Sequence, residues 1–254
     1  MGRHASGMGR LTFCQLFVVT SQAKEYRYYD LLMAAFVCIL LCSNFIGAAK
    51  QTEIHLPVAG TLTVGAGVLF FPISYFFGDV LTEVYGYARD RRVVWVGFSA
   101  LFFASLMAWV VVHIPPAHNE FMGVFQGQLE GVFGNAWRIA LASMVAYWCG
   151  SFANSFVLAR LKVMTEGRWL WLRAIGSTAV GEALDSLLFY GLAFYGVWNT
   201  HDLIQVALLE YVLKTGWEVL ATPLTYAMVN FLTRVEHEHN YDRKTRFTPF
   251  SLDV

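Results

Sequence analysis

The chain of 254 residues is 57% hydrophobic and 14% charged, against about a quarter charged in soluble domains, so most of it is expected to have lipid as its solvent. Lys plus Arg and Asp plus Glu each number 18, and this zero net charge gives no field that would favour nucleic acid as a partner. Aromatic residues make up 16%, which suits rings lying at headgroup level.

In chain order, Arg3 and Arg10, the apolar run Leu11 to Thr20 and then Ser21-Gln22-Ala23 mimic a signal peptide with its cleavage site. Gln15 interrupts that short core, and cleavage would reverse the orientation derived below, so residues 1–27 read as a cytoplasmic tail. Six stretches, at about 30–49, 61–86, 92–114, 136–160, 174–197 and 203–232, are long and apolar enough to cross roughly 30 Å of hydrocarbon as helices. They are continuous runs, not the short alternating segments of a closed barrel. Between the third and fourth spans, Phe121, Phe125, Leu129 and Phe133 recur at helical spacing, which predicts a short interfacial helix. The expected fold is an all-α integral membrane protein with a six-helix domain over 28–233 and a second cytoplasmic tail over 234–254.

Orientation follows from the basic residues. Arg3, Arg10, Lys24 and Arg27, Arg89, Arg91 and Arg92, Arg160, Lys162, Arg168 and Arg173, and Arg234, Arg243, Lys244 and Arg246 all fall on one side, against Lys50 in the opposite loops. This asymmetry predicts that both termini face the cytoplasm. The second span contains Gly78-Asp79-Val80-Leu81 and the fifth contains Gly181-Glu182-Ala183-Leu184. That faint echo is compatible with a 3+3 inverted repeat, because two three-helix halves enter the membrane from opposite sides. Cys14, Cys38, Cys42 and Cys149 have no metal-ligand spacing and read as buried, inert thiols. No metal or cofactor is expected.

Charges inside the spans are the informative feature, because each costs about 2.5–3.5 kcal/mol near the bilayer centre on insertion scales. Asp79 and Glu83 share a face, as do Glu182 and Asp185, and Lys214 and Glu218. Glu210 lies one turn before Lys214, while Asn44, Ser151, Asn154 and Ser155 add polar groups. Helical rise puts Glu182 and Asp185 roughly 13 and 18 Å beyond Arg173, and Lys214 and Glu218 roughly 18 and 24 Å beyond Asp202. Glu83 is shallower and could snorkel towards Arg89 or Arg92. Such charges could simply pair to hold helices together, for instance Lys214 with Asp185. However, Asp79, Glu83, Glu182, Asp185 and Glu218 outnumber the one buried base, so some acids must be protonated, reach water or await a ligand's donors.

Carboxylates beside Asn and Ser suit a flat solute rich in N–H donors, or a cation, and one carboxylate accepts two adjacent N–H groups of a purine-like base. Trp148, Phe189, Tyr211 and Trp217 are candidates to stack on its face. Pro72 and Pro223 are expected to interrupt their helices near the site. The candidate binding residues are therefore Asn44, Asp79, Glu83, Ser151, Asn154, Glu182, Asp185, Lys214, Trp217 and Glu218.

The stretch from Phe71-Pro72-Ile73-Ser74-Tyr75 through Gly78-Asp79-Val80-Leu81-Thr82-Glu83-Val84-Tyr85-Gly86-Tyr87, with Arg89 and Arg91, resembles the signature of the queuosine precursor transporters, also called the vitamin uptake transporter family. The resemblance extends through Gly150-Ser151-Phe152-Ala153-Asn154-Ser155, Arg173-Ala174-Ile175-Gly176-Ser177-Thr178, Asp185, Tyr211-Val212-Leu213-Lys214, Thr222-Pro223-Leu224-Thr225-Tyr226 and Tyr241-Asp242 to Pro249-Phe250. It covers residues 25–254. It implies uptake, across the bacterial inner membrane, of deazaguanine precursors of the tRNA base queuosine, such as 7-cyano-7-deazaguanine, by a solitary transporter with no ATPase of its own. Glu182 departs from the amide common there in the family, which leaves open the preferred precursor and any proton coupling.

In this reading Asp185 or Glu182 accepts the ligand's N–H pair and Asn154 and Ser151 read its other edge. Lys214 neutralises the remaining acid, and Asp79 and Glu218 line the inner exit. The partners are a small-molecule base and the bilayer, with no nucleic acid and with a homo-oligomer compatible. The alternative is a substrate-binding subunit of an energy-coupling vitamin transporter. No HExxH or GxSxG supports an enzyme.

Overall fold

The computed structural model describes residues 26–47, 51–56, 60–66, 70–134, 137–197, 199–237, 240–242 and 245–250; the signal-peptide-like segment and Cys14 lie outside them. Helix α1, Tyr29–Cys42, ends in a π turn, Ser43–Gly47, and strands β1, Gln51–Leu56, and β2, Gly60–Gly65, follow. After them come α2, Phe71–Tyr85, α3, Tyr87–His113, and α4, Glu120–Leu129, which runs into a second π turn, Glu130–Gly134. The last three helices are α5, Trp137–Met164, α6, Leu170–Phe194, and α7, Thr200–Glu236. Tyr29–Gly47, Tyr87–His113 and Glu120–Met164 are long and apolar enough to cross a membrane. Helices α6 and α7 are also long, but they carry half of the buried charged residues among those described. This is a helical membrane protein.

The expected helix over 61–86 is corrected. Its first part is a strand, paired antiparallel to β1 with Gln51 opposite Gly65 and Leu56 opposite Gly60. Hydropathy alone made Gly60-Thr61-Leu62-Thr63-Val64-Gly65 look like a span. Yet its β-branched residues alternating between glycines favour a pleated strand over a helix. Helix α2 is left with 15 residues, roughly 22 Å long. Pro72 occupies its first turn, where the missing N–H is harmless, so it starts the helix and does not interrupt it. Pro223 does lie inside α7.

Short as it is, α2 occupies the centre of the bundle. Val80, Leu81, Val84 and Tyr85 are fully buried against Phe36 and Leu40 of α1, Val93 of α3, Leu170 of α6, and Val229 and Leu232 of α7. From Asp79 to Tyr85 the helix is covered all round and has no lipid face, while Ile73 in its first turn stays exposed. The outward faces of its neighbours are apolar and open, for example Phe102, Phe103 and Trp109 on α3 and Leu220, Leu224 and Phe231 on α7, as lipid contact requires. The helix predicted from Phe121 to Phe133 is present as α4 and its π turn, with Phe121 and Phe125 stacked at 5.1 Å and exposed.

Helices α5 and α6 cross at two glycines. A Cβ on Gly181 would lie 2.9 Å from the Gly150 carbonyl oxygen and 2.8 Å from Asn154 Cβ. Small residues at such a crossing let backbones approach, and in lipid that close packing is a main source of helix association. At the other joint, α2 and α3 are separated only by Gly86, whose φ of +84° suits glycine. The loop expected there is absent. Arg89, Arg91 and Arg92 lie in the first turns of α3, and Arg91 is buried. The thiols also depart from expectation: Cys38, Cys42 and Cys149 are free, but Cys38 is exposed.

Candidate functional site

Three groups of buried polar side chains lie nearest the candidate site. The first is the group of charges around Lys214. Its Nζ lies 3.1 Å from Glu182 Oε2, 3.1 Å from Asp185 Oδ2 and 3.9 Å from Glu210 Oε2. The i,i+3 spacing of Glu182 and Asp185 puts both on the α6 face that meets Lys214 of α7. The cation thus holds two helices together and orients the acid that matters next.

The second group lines a cavity. Asp185 forms one edge, with Ser74, Tyr75 and Gly78 from α2, Asp90 and Val94 from α3, and Tyr147, Ser151, Asn154 and Ser155 from α5. Phe36 and Leu40 of α1 close it. Its volume is about 30 Å³, enough for ordered water and too small for a bicyclic base, so it must widen to admit one. A Cβ on Gly78 would meet nothing within 4 Å, and the absent side chain at this position leaves that space. Asn154 sits at the Gly150–Gly181 crossing, donating Nδ2 to Asp79 Oδ1 at 2.8 Å. No hydrogen-bond donor among the described residues reaches its Oδ1. Ser155 donates its hydroxyl to Asp90.

The third group is the pair of Asp79 and Glu218, which are 0% and 1% exposed. These carboxyls, from α2 and α7, lie within hydrogen-bonding reach of each other. No donor among the described residues reaches Asp79 Oδ2 or either Glu218 oxygen.

Of the ten predicted binding residues, Ser151, Asn154 and Asp185 line the cavity; Asp79, Glu182, Lys214 and Glu218 fall in the other two groups, and Asn44, Glu83 and Trp217 belong to none of the three. Glu83 does not snorkel towards Arg89 or Arg92. Its Oε1 lies 2.8 Å from Arg173 Nη2 and 3.3 Å from Lys162 Nζ, in a buried ion cluster where α2 meets α5 and α6. Asn44 donates to the Leu40 carbonyl and accepts from Ser143 Oγ at 2.7 Å, so it ties α1 to α5. Trp217 is 45% exposed beside Val219 and Leu220 and faces outward; Lys214 and Glu218 take the buried side of α7. Conversely, Asp90 was missed. It sits among Arg89, Arg91 and Arg92, and a charged run reads as a solvated loop.

Residues 65–228 match a family described as putative vitamin uptake transporter, which is well over half of the chain. The chain belongs to that family. It is a transporter, not an enzyme. A Bacillus subtilis (strain 168) protein described as a probable queuosine precursor transporter is 31% identical over 188 residues, covering 74% of this chain and 78% of the relative. The queuosine precursor transporter of Escherichia coli (strain K12) is 28% identical over 225 residues, covering 85% and 93%. A probable queuosine precursor transporter of Haemophilus influenzae (strain ATCC 51907 / DSM 11121 / KW20 / Rd) is 26% identical over 201 residues, covering 73% and 82%. No solved structure matches the chain.

Proposed function

We propose that this vitamin uptake transporter imports a queuosine precursor, 7-cyano-7-deazaguanine or a related deazaguanine, across the bacterial inner membrane as a solitary secondary transporter or facilitator. The carrying observation is the cavity, lined both by Asn154, whose Oδ1 no donor among the described residues reaches, and by Asp185. Both accept hydrogen bonds, and the pyrimidine edge of a deazaguanine presents adjacent N–H groups to such acceptors. Tyr75 and Tyr147 supply aromatic walls, and Ser151 reads a further polar edge. The relatives' names point to the same solute class.

Lys214 then acts as a positioning residue, fixing Asp185 by an ion pair and leaving the cavity side open. The basic residues at the Gly86 end face the cytoplasm by the charge rule, as do both tails, 1–27 and 234–254, flanking a transport domain over 28–233. The cavity must widen and open alternately to the two sides, with helix groups rocking about the fixed site.

Purified chain in proteoliposomes, supplied with labelled 7-cyano-7-deazaguanine and no ATPase partner, tests the proposal. Uptake by the chain alone is expected, and Asp185→Ala or Asn154→Ala weakens binding about ten- to a hundredfold, the value of a charged hydrogen bond. Wild-type affinity in Asp185→Ala removes that residue from the site. Uptake that appears only with an added ATPase partner makes the chain the binding subunit of an energy-coupling complex.

A further inference from the structure

The cavity explains Asp185 and Asn154, but it leaves Asp79 and Glu218 without a task. Their oxygens face each other from α2 and α7, buried, with Asn154 Nδ2 the one donor to reach the pair among the described residues. Two ionised carboxylates cannot sit in hydrogen-bonding contact inside a membrane protein; one proton between them turns repulsion into a hydrogen bond. The surrounding groups offer no substitute for that proton. On α2 itself the neighbours are Tyr75 and Glu83, and on α3 Asp90, while α5 contributes the neutral Asn154. From α6 come Glu182 and Asp185, both engaged by Lys214 of α7. Glu83 has its own cations, Arg173 and Lys162.

Geometry also links the pair to the solute site. Asn154 lines the cavity and holds Asp79 through its amide Nδ2. A base that draws on Asn154 Oδ1 therefore pulls on the group that orients Asp79. Helix α7, which carries Glu218, is also interrupted one turn later by Pro223, so the Glu218 turn lacks a full set of backbone bonds and is a place where α7 can bend.

We infer that the Asp79–Glu218 carboxyl pair carries a proton that crosses the membrane with the solute, making the chain a proton-coupled importer. The inference rests on the transport reading above. An O–H bond forms with a proton drawn from water on the outer side. It breaks when the pair separates towards the inner side and returns the proton to water there. Nothing else is made or broken, and the imposed proton gradient is the energy source.

Two measurements test this. In proteoliposomes, a one-unit inside-alkaline pH gradient coupled one proton to one solute sustains up to about tenfold accumulation of 7-cyano-7-deazaguanine. The ratio of accumulation with and without the gradient is expected to fall to one in Glu218→Gln and in Asp79→Asn. In the infrared, without any ligand, the wild type is expected to show a protonated-carboxyl carbonyl band that shifts in heavy water and is missing from Glu218→Gln. Accumulation by the wild type that ignores the gradient overturns the inference and leaves the proposed substrate standing, as does a variant that keeps the full gradient response. A wild-type chain that carries none of the cyano base refutes the proposed substrate instead. Loss of the infrared band in Glu218→Gln then still supports the shared proton, and an unchanged band overturns it. Glu218→Gln is isosteric, so should Asp79→Asn fail to fold it carries the test.

Discussion

Lys214 Nζ stands 3.1 Å from Asp185 Oδ2, one long side chain of α7 fixing a carboxylate of α6 at the edge of the cavity. Lys214 also holds Glu182 at 3.1 Å, and removing one partner of a buried ion pair strands the others at a cost of roughly 3–5 kcal/mol. Lys214→Met is therefore expected to lower thermal stability in detergent by that order and to abolish uptake. Adding Glu182→Gln and Asp185→Asn removes the stranded charges. The triple variant is expected to regain most of the stability and none of the uptake, which separates holding the bundle together from binding the solute. Uptake restored in the triple variant would show that Asp185 has no part in recognition.

The same added methyl has opposite effects at two glycines. At Gly78 it enters open space, so Gly78→Ala gains helix propensity of up to about 1 kcal/mol. It also occupies part of the solute's place, and affinity falls. At Gly181 it meets Asn154 Cβ at 2.8 Å and the Gly150 carbonyl at 2.9 Å; neither is the end of a flexible side chain. Gly181→Ala forces α5 and α6 apart and costs about 1–3 kcal/mol. Melting temperature and base binding, measured on both variants, check the pair. An equal loss of stability would mean that Gly78 does not border free volume.

Much of this arrangement was legible in the sequence, and what was not has identifiable physical causes. Apolar runs located α1, α3, α5, α6 and α7, because a backbone in lipid has few alternatives to the helix. The buried acids stood out because charge in a span needs a reason. The hairpin was hidden because hydropathy carries no information about backbone dihedrals, so Thr61-Leu62-Thr63-Val64 passed as part of a span. Asp90 was masked by flanking arginines, and only the tight joint at Gly86 turns it inward. Trp217 was misassigned although its own stripe argued otherwise: with Leu220, Leu224 and Phe231 it repeats at i, i+3, i+7 and i+14, an apolar face for lipid. Which acids pair with which bases depends on how helices cross, and no single helix's spacing contains that.

Glu83 marks the boundary of the site. It accepts from Arg173 Nη2 at 2.8 Å, and Lys162 Nζ lies 3.3 Å from it while also donating to the Glu83 carbonyl. Glu83→Gln leaves two buried cations facing a neutral amide and is expected to destabilise the chain by roughly 3 kcal/mol or more. Its protein that does fold is expected to bind the base with unchanged affinity. Titration of base binding against the wild type, in detergent at low temperature, checks this. A tenfold weaker dissociation constant would return Glu83 to the solute pathway.

The final prediction concerns the chain after α7, which folds back over the Gly86 end of the bundle. Asn240 Nδ2 donates to the Tyr85 carbonyl, and Asp242 Oδ2 accepts from the Tyr87 N–H. Arg91 Nη1 donates to the Arg246 and Thr248 carbonyls at 3.0 and 2.7 Å, and Trp95 Nε1 donates to the Pro249 carbonyl at 2.7 Å. Phe247 packs on Tyr87 and Phe156 beneath the Arg160 guanidinium. Residues 240–242 and 245–250 thus form a strap across α3 and α5, to which one buried arginine contributes two bonds. A lysine at that position keeps the charge but lacks the guanidinium Nη1 whose two N–H groups serve both carbonyls. Arg91→Lys is expected to loosen the strap by about 1–3 kcal/mol. Because the strap carries Arg246, trypsin should cut there at least tenfold faster in the variant, while the bundle itself stays intact. Unchanged cleavage would show that the aromatic contacts of Phe247, not the Arg91 bonds, hold the strap in place.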